Sequence, residues 1–254
     1  GIELAKLIME KSIEIDPNSE EEPPEDDSWY PDAKRLSQGS SLSATYPLGE
    51  GEIYLEIVTE QARRNVNLLT KEEEWEPILA VGGIPEDLWP ELIEAFLDWV
   101  DKDDVERSDG AETEDYYATL DNPYGARNGA LYSVDELIRI KGFTQEIIYG
   151  GLLVDESGDE GEQVVAFGIA DLLTTFGGKK INVNAASRRV LMTLPDPEGI
   201  ADLVAGAILE ELEGFGDDDG TRESEFFEND ADLFASVPEL SQGGRKDYVT
   251  TKSS

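Results

Sequence analysis

Cysteine and histidine are both absent from the 254 residues of this chain. Without them the protein has no thiolate nucleophile, no Ser-His-Asp triad and no imidazole for acid–base catalysis. A zinc, copper or iron site built from soft ligands is excluded for the same reason. Any bound metal must therefore be a hard cation held by oxygen atoms, with calcium and magnesium as the first choices.

Basic residues are scarce. The chain has 20 Lys and Arg against 58 Asp and Glu, which gives a formal net charge of −38. Nucleic acids and anionic lipids are polyanions that require Lys/Arg surfaces, so this balance argues against either as the main partner. The sequence also lacks an apolar run of about 18 residues, so the chain as given spans no bilayer. With 39% hydrophobic residues, however, it has enough apolar material to fold.

Apolar periodicity predicts a frame containing a strand, with a large helical insert. The predicted elements are a helix at 1–15, a strand at 51–59, helices at 72–79, 85–100, 134–140, 185–194 and 200–212, a helical turn at 232–237 and a strand-like segment at 247–251. Acidic loops are predicted at 16–27, 155–162 and 213–232. The helix at 85–100 is the best defined, because Pro85 and two acidic residues mark its first turn and an apolar stripe follows.

The densest chemical signal is the acidic segment that follows this helix, residues 98–117. If an EF-hand loop began at Asp101, then Asp103, Asp109 and Glu112 would fall on its third, ninth and twelfth positions, which are ligand positions. Glu106 stands where the sharp turn of that loop requires glycine, so the segment is not an EF-hand. It has the composition of a calcium loop, and the alternative is a solvated acidic turn in a generally acidic protein.

The metal interpretation is favoured by what surrounds the acids. They follow directly on a helix with a buried face and precede the aromatic pair Tyr116 and Tyr117. Uncompensated carboxylates in such surroundings repel one another strongly, and a divalent cation removes that repulsion.

Residues 181–186 (INVNAA) resemble the opening of a helix-hairpin-helix motif, and residues 134–143 resemble a weaker copy. In nucleic-acid-binding versions of this motif, backbone amides meet a phosphate. Here Asp196 and Glu198 would repel that phosphate, so helix packing is the favoured interpretation.

Four segments occur in a distinctive order along the chain: EQARRNVNL at 60–68, DWVDKDD at 98–104 with 110–112 and 116–117, NGAL at 128–131 with 133–137, and INVNAA at 181–186. Together they resemble the family of general secretion pathway protein K, the largest minor pseudopilin of bacterial type II secretion. Each segment alone is weak evidence, but the four in order are more specific, and the match in order and spacing extends over roughly residues 51–200.

The resemblance implies an α+β fold: a pilin-like frame of an N-terminal helix and a small antiparallel sheet, interrupted by a large all-helical domain. The implied divisions are 1–70, 71–180 and 181–254, with the last returning to the pilin sheet and its final strands missing. The resemblance also implies calcium in the helical domain. On this basis the expected metal residues are Asp101, Asp103, Asp104 and Glu112, with Asp98 and Asp115 as outer candidates.

The implied role is non-enzymatic: a cap at the tip of the pseudopilus, in complex with minor pseudopilins I and J. Family members carry a basic leader and an apolar anchoring helix, and nothing like these precedes Gly1. We therefore expect a soluble portion of an inner-membrane protein that faces the periplasm. The alternatives are a carboxylate-based extracytoplasmic hydrolase, a tip component of a type IV pilus and, least favoured, a DNA-binding protein.

Overall fold

The computed structural model describes residues 2–16, 29–37, 39–155, 162–196, 199–213 and 226–252. Nearly all of the acidic loop predicted at 16–27, and most of those predicted at 155–162 and 213–232, lie outside the described residues. Within this described part, none of the helices has the length and apolar character needed to cross a membrane.

The structure combines short helices with small sheets. The α-helices are α1 (Ile2–Glu14), α2 (Tyr30–Ser37), α3 (Glu72–Val81), α4 (Trp89–Val100), α5 (Gln145–Tyr149), α6 (Arg188–Leu191), α7 (Ala201–Glu213) and α8 (Asp230–Ser236). The 3-10 helices are Glu60–Ala62, Val66–Leu68, Glu86–Leu88, Tyr117–Thr119, Val134–Arg139, Ala170–Leu172, Pro238–Ser241 and Arg245–Asp247.

The strands form pairs. They are β1 (Leu42–Leu48), β2 (Gly51–Ile57), β3 (Arg64–Asn65), β4 (Gly151–Asp155), β5 (Glu162–Ala166), β6 (Leu173–Thr174), β7 (Ile181–Asn182) and β8 (Val249–Thr250). The pairs β1–β2 and β4–β5 are antiparallel hairpins, whereas β3–β6 and β7–β8 are parallel. The segment near the C-terminus thus pairs with β7 in the described structure, not with the β1–β2 hairpin.

Backbone contacts divide the chain into two compact units. Unit 1 comprises residues 1–62, 180–191 and 202–254, and unit 2 comprises residues 63–179 and 192–201. The first and third segments predicted from the sequence therefore fall mainly in unit 1, and the middle segment falls in unit 2.

The core of unit 1 contains the predicted N-terminal helix. Leu4, Ala5 and Ile8 recur at helical spacing on α1, and this face packs against Leu42 and Leu55 of the β1–β2 hairpin. The hairpin closes tightly at Gly49, which adopts a φ of 62° that favours glycine. A helix packed on a small antiparallel sheet is the frame that the sequence predicts.

The INVNAA segment holds the chain near its C-terminus in place within unit 1. The side chain of Asn184 donates to the carbonyl oxygens of Phe227 (3.0 Å) and Thr251 (3.1 Å), and it accepts from the amide of Phe227 (3.0 Å). Asn182 donates to the carbonyl of Gly39 at 3.0 Å. These asparagines satisfy buried backbone groups, so the segment is a strand and turn before the short helix α6, and the helix predicted over 185–194 is reduced to four residues.

Unit 2 is built around aromatic packing between α3 and α4. Trp75 contacts Phe96 edge-to-face with ring centroids 4.6 Å apart, and the Phe143 ring is also edge-to-face with Trp75, at a centroid distance of 6.0 Å. The unit is not wholly helical, because it also contains the β4–β5 hairpin. The sequence predicts neither strand of this hairpin, since periodicity alone does not separate a short apolar strand from a helix.

Candidate metal centre

The candidate centre begins at the C-terminal end of α4. The apolar stripe of this helix buries Leu92, Phe96 and Trp99, so the last turn of the helix is held firmly in unit 2. The Trp99 ring lies edge-to-face on Tyr117, with centroids 5.0 Å apart. Asp98, in the same turn, is 0% exposed, and its carboxylate lies within the protein instead of facing solvent.

Asp98 organises the loop that follows the helix. One carboxylate oxygen, Oδ2, accepts from the backbone amides of Arg107 (3.1 Å) and Ala111 (2.9 Å), and the other, Oδ1, forms an ion pair with the Arg107 guanidinium. Gly110 passes so close to this carboxylate that a Cβ atom there would overlap with it. The Asp98 carboxylate is therefore fully engaged in fixing residues 107–111.

Asp101 shares the same guanidinium but has one oxygen left over. Its Oδ2 accepts from Arg107 Nη1 at 2.8 Å. Its Oδ1 is buried and has no hydrogen-bond partner among the described residues. A buried carboxylate oxygen without a partner is costly, so this atom is suited to a ligand.

Glu112 is the most unusual side chain of the loop. It is 1% exposed, and neither of its carboxylate oxygens makes a hydrogen bond of normal geometry in the described structure. The pKa of Glu112 is raised to about 7, first by burial and then by the negative charge of Asp98, with smaller contributions from Asp101 and Asp104. The nearby Thr113 amide lowers the pKa only in part. An ionised Glu112 therefore lacks the compensation that a buried carboxylate needs.

Asn128 brings an amide oxygen to the same acidic loop. Its backbone takes a φ of 50°, and its amide donates to the carbonyl of Trp99 at 2.9 Å. The side-chain nitrogen donates to Asp104 Oδ1 at 3.1 Å, and the side-chain oxygen is buried with no partner among the described residues. The sequence did not indicate Asn128 as a site residue; the only available signal was its place in the NGAL segment of the family resemblance.

Lys141 binds the loop backbone just before Glu112. Its ammonium group donates to the carbonyl oxygens of Asp109 (3.2 Å) and Gly110 (3.0 Å), and it lies over the Tyr116 ring at 5.5 Å from the centroid. Its backbone amide donates to the Tyr117 hydroxyl at 3.3 Å. The loop that carries Glu112 is thus held at both ends.

The remaining predicted metal residues are more exposed. Asp103 Oδ1 accepts from the amide of Val105 at 3.1 Å, which closes a local turn. Asp104 is exposed and is tied to Asn128, and Asp115 is exposed and takes no part in the bonds around Asp98, Asp101 or Glu112. The structure therefore places Asp98, Asp101 and Asp104 close enough for their charges to act on Glu112. Within this cluster, the Asp98 carboxylate accepts hydrogen bonds from the loop backbone.

These observations test whether the residues present suit calcium. The unpartnered buried oxygens belong to Glu112, Asp101 and Asn128. Carboxylate and amide oxygens are the ligand types that calcium takes in flexible loops, together with carbonyls and water. Across the described ranges, no group of three or more acidic side chains is by itself arranged to hold a metal ion. Two carboxylates and an amide oxygen are donor types that suit calcium.

The fold and this loop define an α+β protein that carries an oxygen-lined candidate cation site. Residues 58–149, which include the whole loop, match the family model described as type II secretion system (T2SS), protein K. A chain in the crystal structure of the GspK-GspI-GspJ complex from the type 2 secretion system of enterotoxigenic Escherichia coli has a similar fold, with a TM-score of 0.61 and 14% identity. The match covers 99% of this chain and 80% of the other. None of the curated proteins matches the chain.

The resemblance to general secretion pathway protein K is therefore confirmed. The predicted fold class, a helix and small antiparallel sheet with a helical insertion, is confirmed as well. The family is a structural component of a secretion machine, which confirms the predicted non-enzymatic class.

Proposed function

We propose that this protein is a minor pseudopilin of the type II secretion system, that it caps the pseudopilus tip together with the I-type and J-type pseudopilins, and that it binds calcium in the loop after α4. The family match over residues 58–149 supports the secretion system. The fold shared with a chain of the GspK-GspI-GspJ structure supports the partners. The same match favours type II secretion over a type IV pilus.

The calcium proposal depends chiefly on one observation, the buried Glu112 carboxylate without hydrogen-bond partners in the described structure. When bound, calcium supplies positive charge to oxygens that otherwise repel one another. Glu112, Asp101 Oδ1 and Asn128 Oδ1 would hold the ion. Asp98 fixes the loop backbone through Arg107 and Ala111, and Lys141 fastens the carbonyls of residues 109 and 110.

Thermal unfolding after EDTA, and then with added calcium or magnesium, tests the metal proposal. A ligand that binds only the folded state stabilises it by about 2.7 kcal/mol at a free concentration about 100 times Kd. We expect a rise in melting temperature that is larger with calcium than with magnesium and is lost in Glu112→Gln. The matched control is Glu114→Gln, an exposed glutamate two residues away, which should respond like the unmodified protein. An equal response of both variants would contradict the assignment.

Reconstitution tests the assembly proposal. The chain, mixed with purified I-type and J-type pseudopilins from the same source, should elute as a ternary complex in size-exclusion chromatography with light scattering. In the cell, we expect the same complex to form on the periplasmic side of the inner membrane. Separate elution of the three proteins at micromolar concentration would contradict the tip role and leave the calcium proposal intact.

A further inference from the structure

Arg107 places a positive charge inside the acidic loop. Its guanidinium Nη1 pairs with both Asp98 and Asp101, and its backbone amide donates to Asp98. Asp98 is 0% exposed, whereas the Arg107 side chain is 38% exposed. The buried carboxylate therefore depends on a cation that reaches it from the surface.

We propose that Arg107 is a built-in counter-cation of the candidate calcium centre, which keeps the metal-free loop folded and thereby weakens the binding of calcium. This inference rests on the calcium site proposed above. Arg107 is thus a positioning residue. Its guanidinium holds Asp98 and one carboxylate oxygen of Asp101, and the other oxygen of Asp101 is left for the ion.

The charges of the acidic cluster explain why Arg107 should weaken the binding of calcium. Asp98, Asp101, Asp104 and Glu112 carry four negative charges when ionised, and Arg107 offsets one of them. Without Arg107 the net negative charge of the cluster is larger. The cluster then attracts a divalent cation more strongly, because the Coulomb energy is proportional to the product of the two charges. The same change leaves buried Asp98 without its partner, which is a severe loss in the absence of metal.

A purely structural role for the Arg107 ion pairs predicts a different result. If Arg107 only holds the loop, its removal should lower stability by the same amount with and without calcium. If Arg107 and calcium neutralise the same carboxylates, the two are coupled, and linkage requires that calcium offset part of the loss. The affinity for calcium therefore separates the two roles.

Calcium titration calorimetry and thermal unfolding of the full chain test this coupling. In EDTA, we expect Arg107→Gln to melt at a lower temperature than the unmodified protein, and in calcium we expect most of this difference in melting temperature to disappear. We also expect Arg107→Gln to bind calcium at least about fivefold more tightly, which is the lower end of typical coupling between sites. Arg107→Lys keeps the charge and should bind calcium like the unmodified protein. Lys71→Gln removes a positive charge from an exposed position of unit 2 and is the matched control.

The possible outcomes distinguish the failure of the calcium proposal from the failure of the role assigned to Arg107. If the unmodified protein binds no calcium, the calcium proposal fails and this inference falls with it. If the unmodified protein binds calcium but Arg107→Gln binds it no more tightly, or unfolds equally in both buffers, only the counter-cation role is overturned. Tighter binding by Arg107→Lys as well would overturn the explanation by charge.

Discussion

The side chain of Asn67 makes both backbone hydrogen bonds of Leu131, 64 residues further along the chain. Its Nδ2 donates to the Leu131 carbonyl at 3.0 Å, and its Oδ1 accepts from the Leu131 amide at 2.7 Å. Leu131 is buried. Two of the four family-like segments, EQARRNVNL and NGAL, are thus joined by one amide side chain that substitutes for a strand pair.

We therefore expect Asn67→Ala to lower the free energy of unfolding by about 2–3 kcal/mol, because it leaves two buried backbone groups without partners. Asn67→Asp retains the acceptor and should cost less than Asn67→Ala. Asn122→Ala, at an exposed position of the same unit, should change stability little. Urea denaturation measures all three, and an equal effect of the alanine variants would contradict the role of Asn67.

The raised pKa of Glu112 predicts a pH dependence without calcium. The folded carboxyl ionises at about 7, against 4.5 when unperturbed, so the folded state holds an extra proton between these values. The contribution of Glu112 to stability should therefore decrease as pH rises through this window, with the loss complete above about pH 7. A shift of this size corresponds to about 3 kcal/mol.

The difference between Glu112→Gln and the unmodified protein isolates this effect from other titrating groups. In EDTA, Glu112→Gln should be more stable than the unmodified protein by up to about 3 kcal/mol above pH 7, with the advantage vanishing below about pH 4.5. Glu114→Gln serves again as the control. In calcium the order at high pH should reverse, because the ion binds the ionised carboxylate. A pH-independent difference in EDTA would refute the assignment of the shift to Glu112.

Asn128 allows the backbone and the side chain to be separated. Its φ of 50° is one that glycine adopts readily, so Asn128→Gly should fold while it removes the amide oxygen. We expect calcium affinity to fall by at least about tenfold, the lower bound for losing even an outer partner of a metal site. Asn128→Asp retains an oxygen and should bind calcium. Unchanged affinity in Asn128→Gly would exclude this amide as a ligand.

Asp230 predicts acid sensitivity near the C-terminus, in unit 1. Its Oδ1 accepts from the Thr250 hydroxyl (3.2 Å), the Thr251 amide (2.9 Å) and the Thr251 hydroxyl (3.1 Å). Burial raises the pKa of Asp230, but these bonds outweigh it and hold the pKa below 3.8. The stabilisation is therefore complete above pH 3.8 and is lost as pH falls through the lower folded value.

At pH 7 we expect Asp230→Asn to cost about 1–3 kcal/mol in free energy of unfolding, as for other hydrogen bonds to a charged group. The cost should shrink in strong acid, where the native carboxyl is itself protonated. Asp247→Asn is the control, at an exposed position in the same unit. Chemical denaturation at the two pH values gives the comparison, and a cost that grows in acid would contradict the sign.

Sequence patterns located α4 and the acidic loop because both are local signals: a proline in the first turn, an apolar stripe and a run of acids. They missed β1, although its Leu42, Ala44 and Tyr46 alternate with polar residues as in a half-buried strand. The proline within this run, Pro47, weakens the strand signal. The predicted helix at 134–140 is a 3-10 helix, which shares its apolar spacing over a few residues.

Within the candidate centre, the sequence indicated acids but could not assign their roles. Asp98 and Asp101 both look like ligands in the sequence, and only the fold shows that Arg107 pairs with both. Asn128 carries no charge, and its place near the loop depends on a positive φ and on contacts with residues 24 or more positions earlier. Such partners come from tertiary structure, which residue type and spacing do not encode locally.

Calcium titration of the full chain by isothermal calorimetry at pH 8, alongside Glu112→Gln, tests the metal centre most directly. At that pH Glu112 is mostly ionised, so proton competition is small. We predict saturable binding of calcium to the unmodified protein and none to Glu112→Gln at the same concentrations. Equal binding by the two proteins, or no binding by either, would contradict the assignment of the loop after α4 as a calcium site.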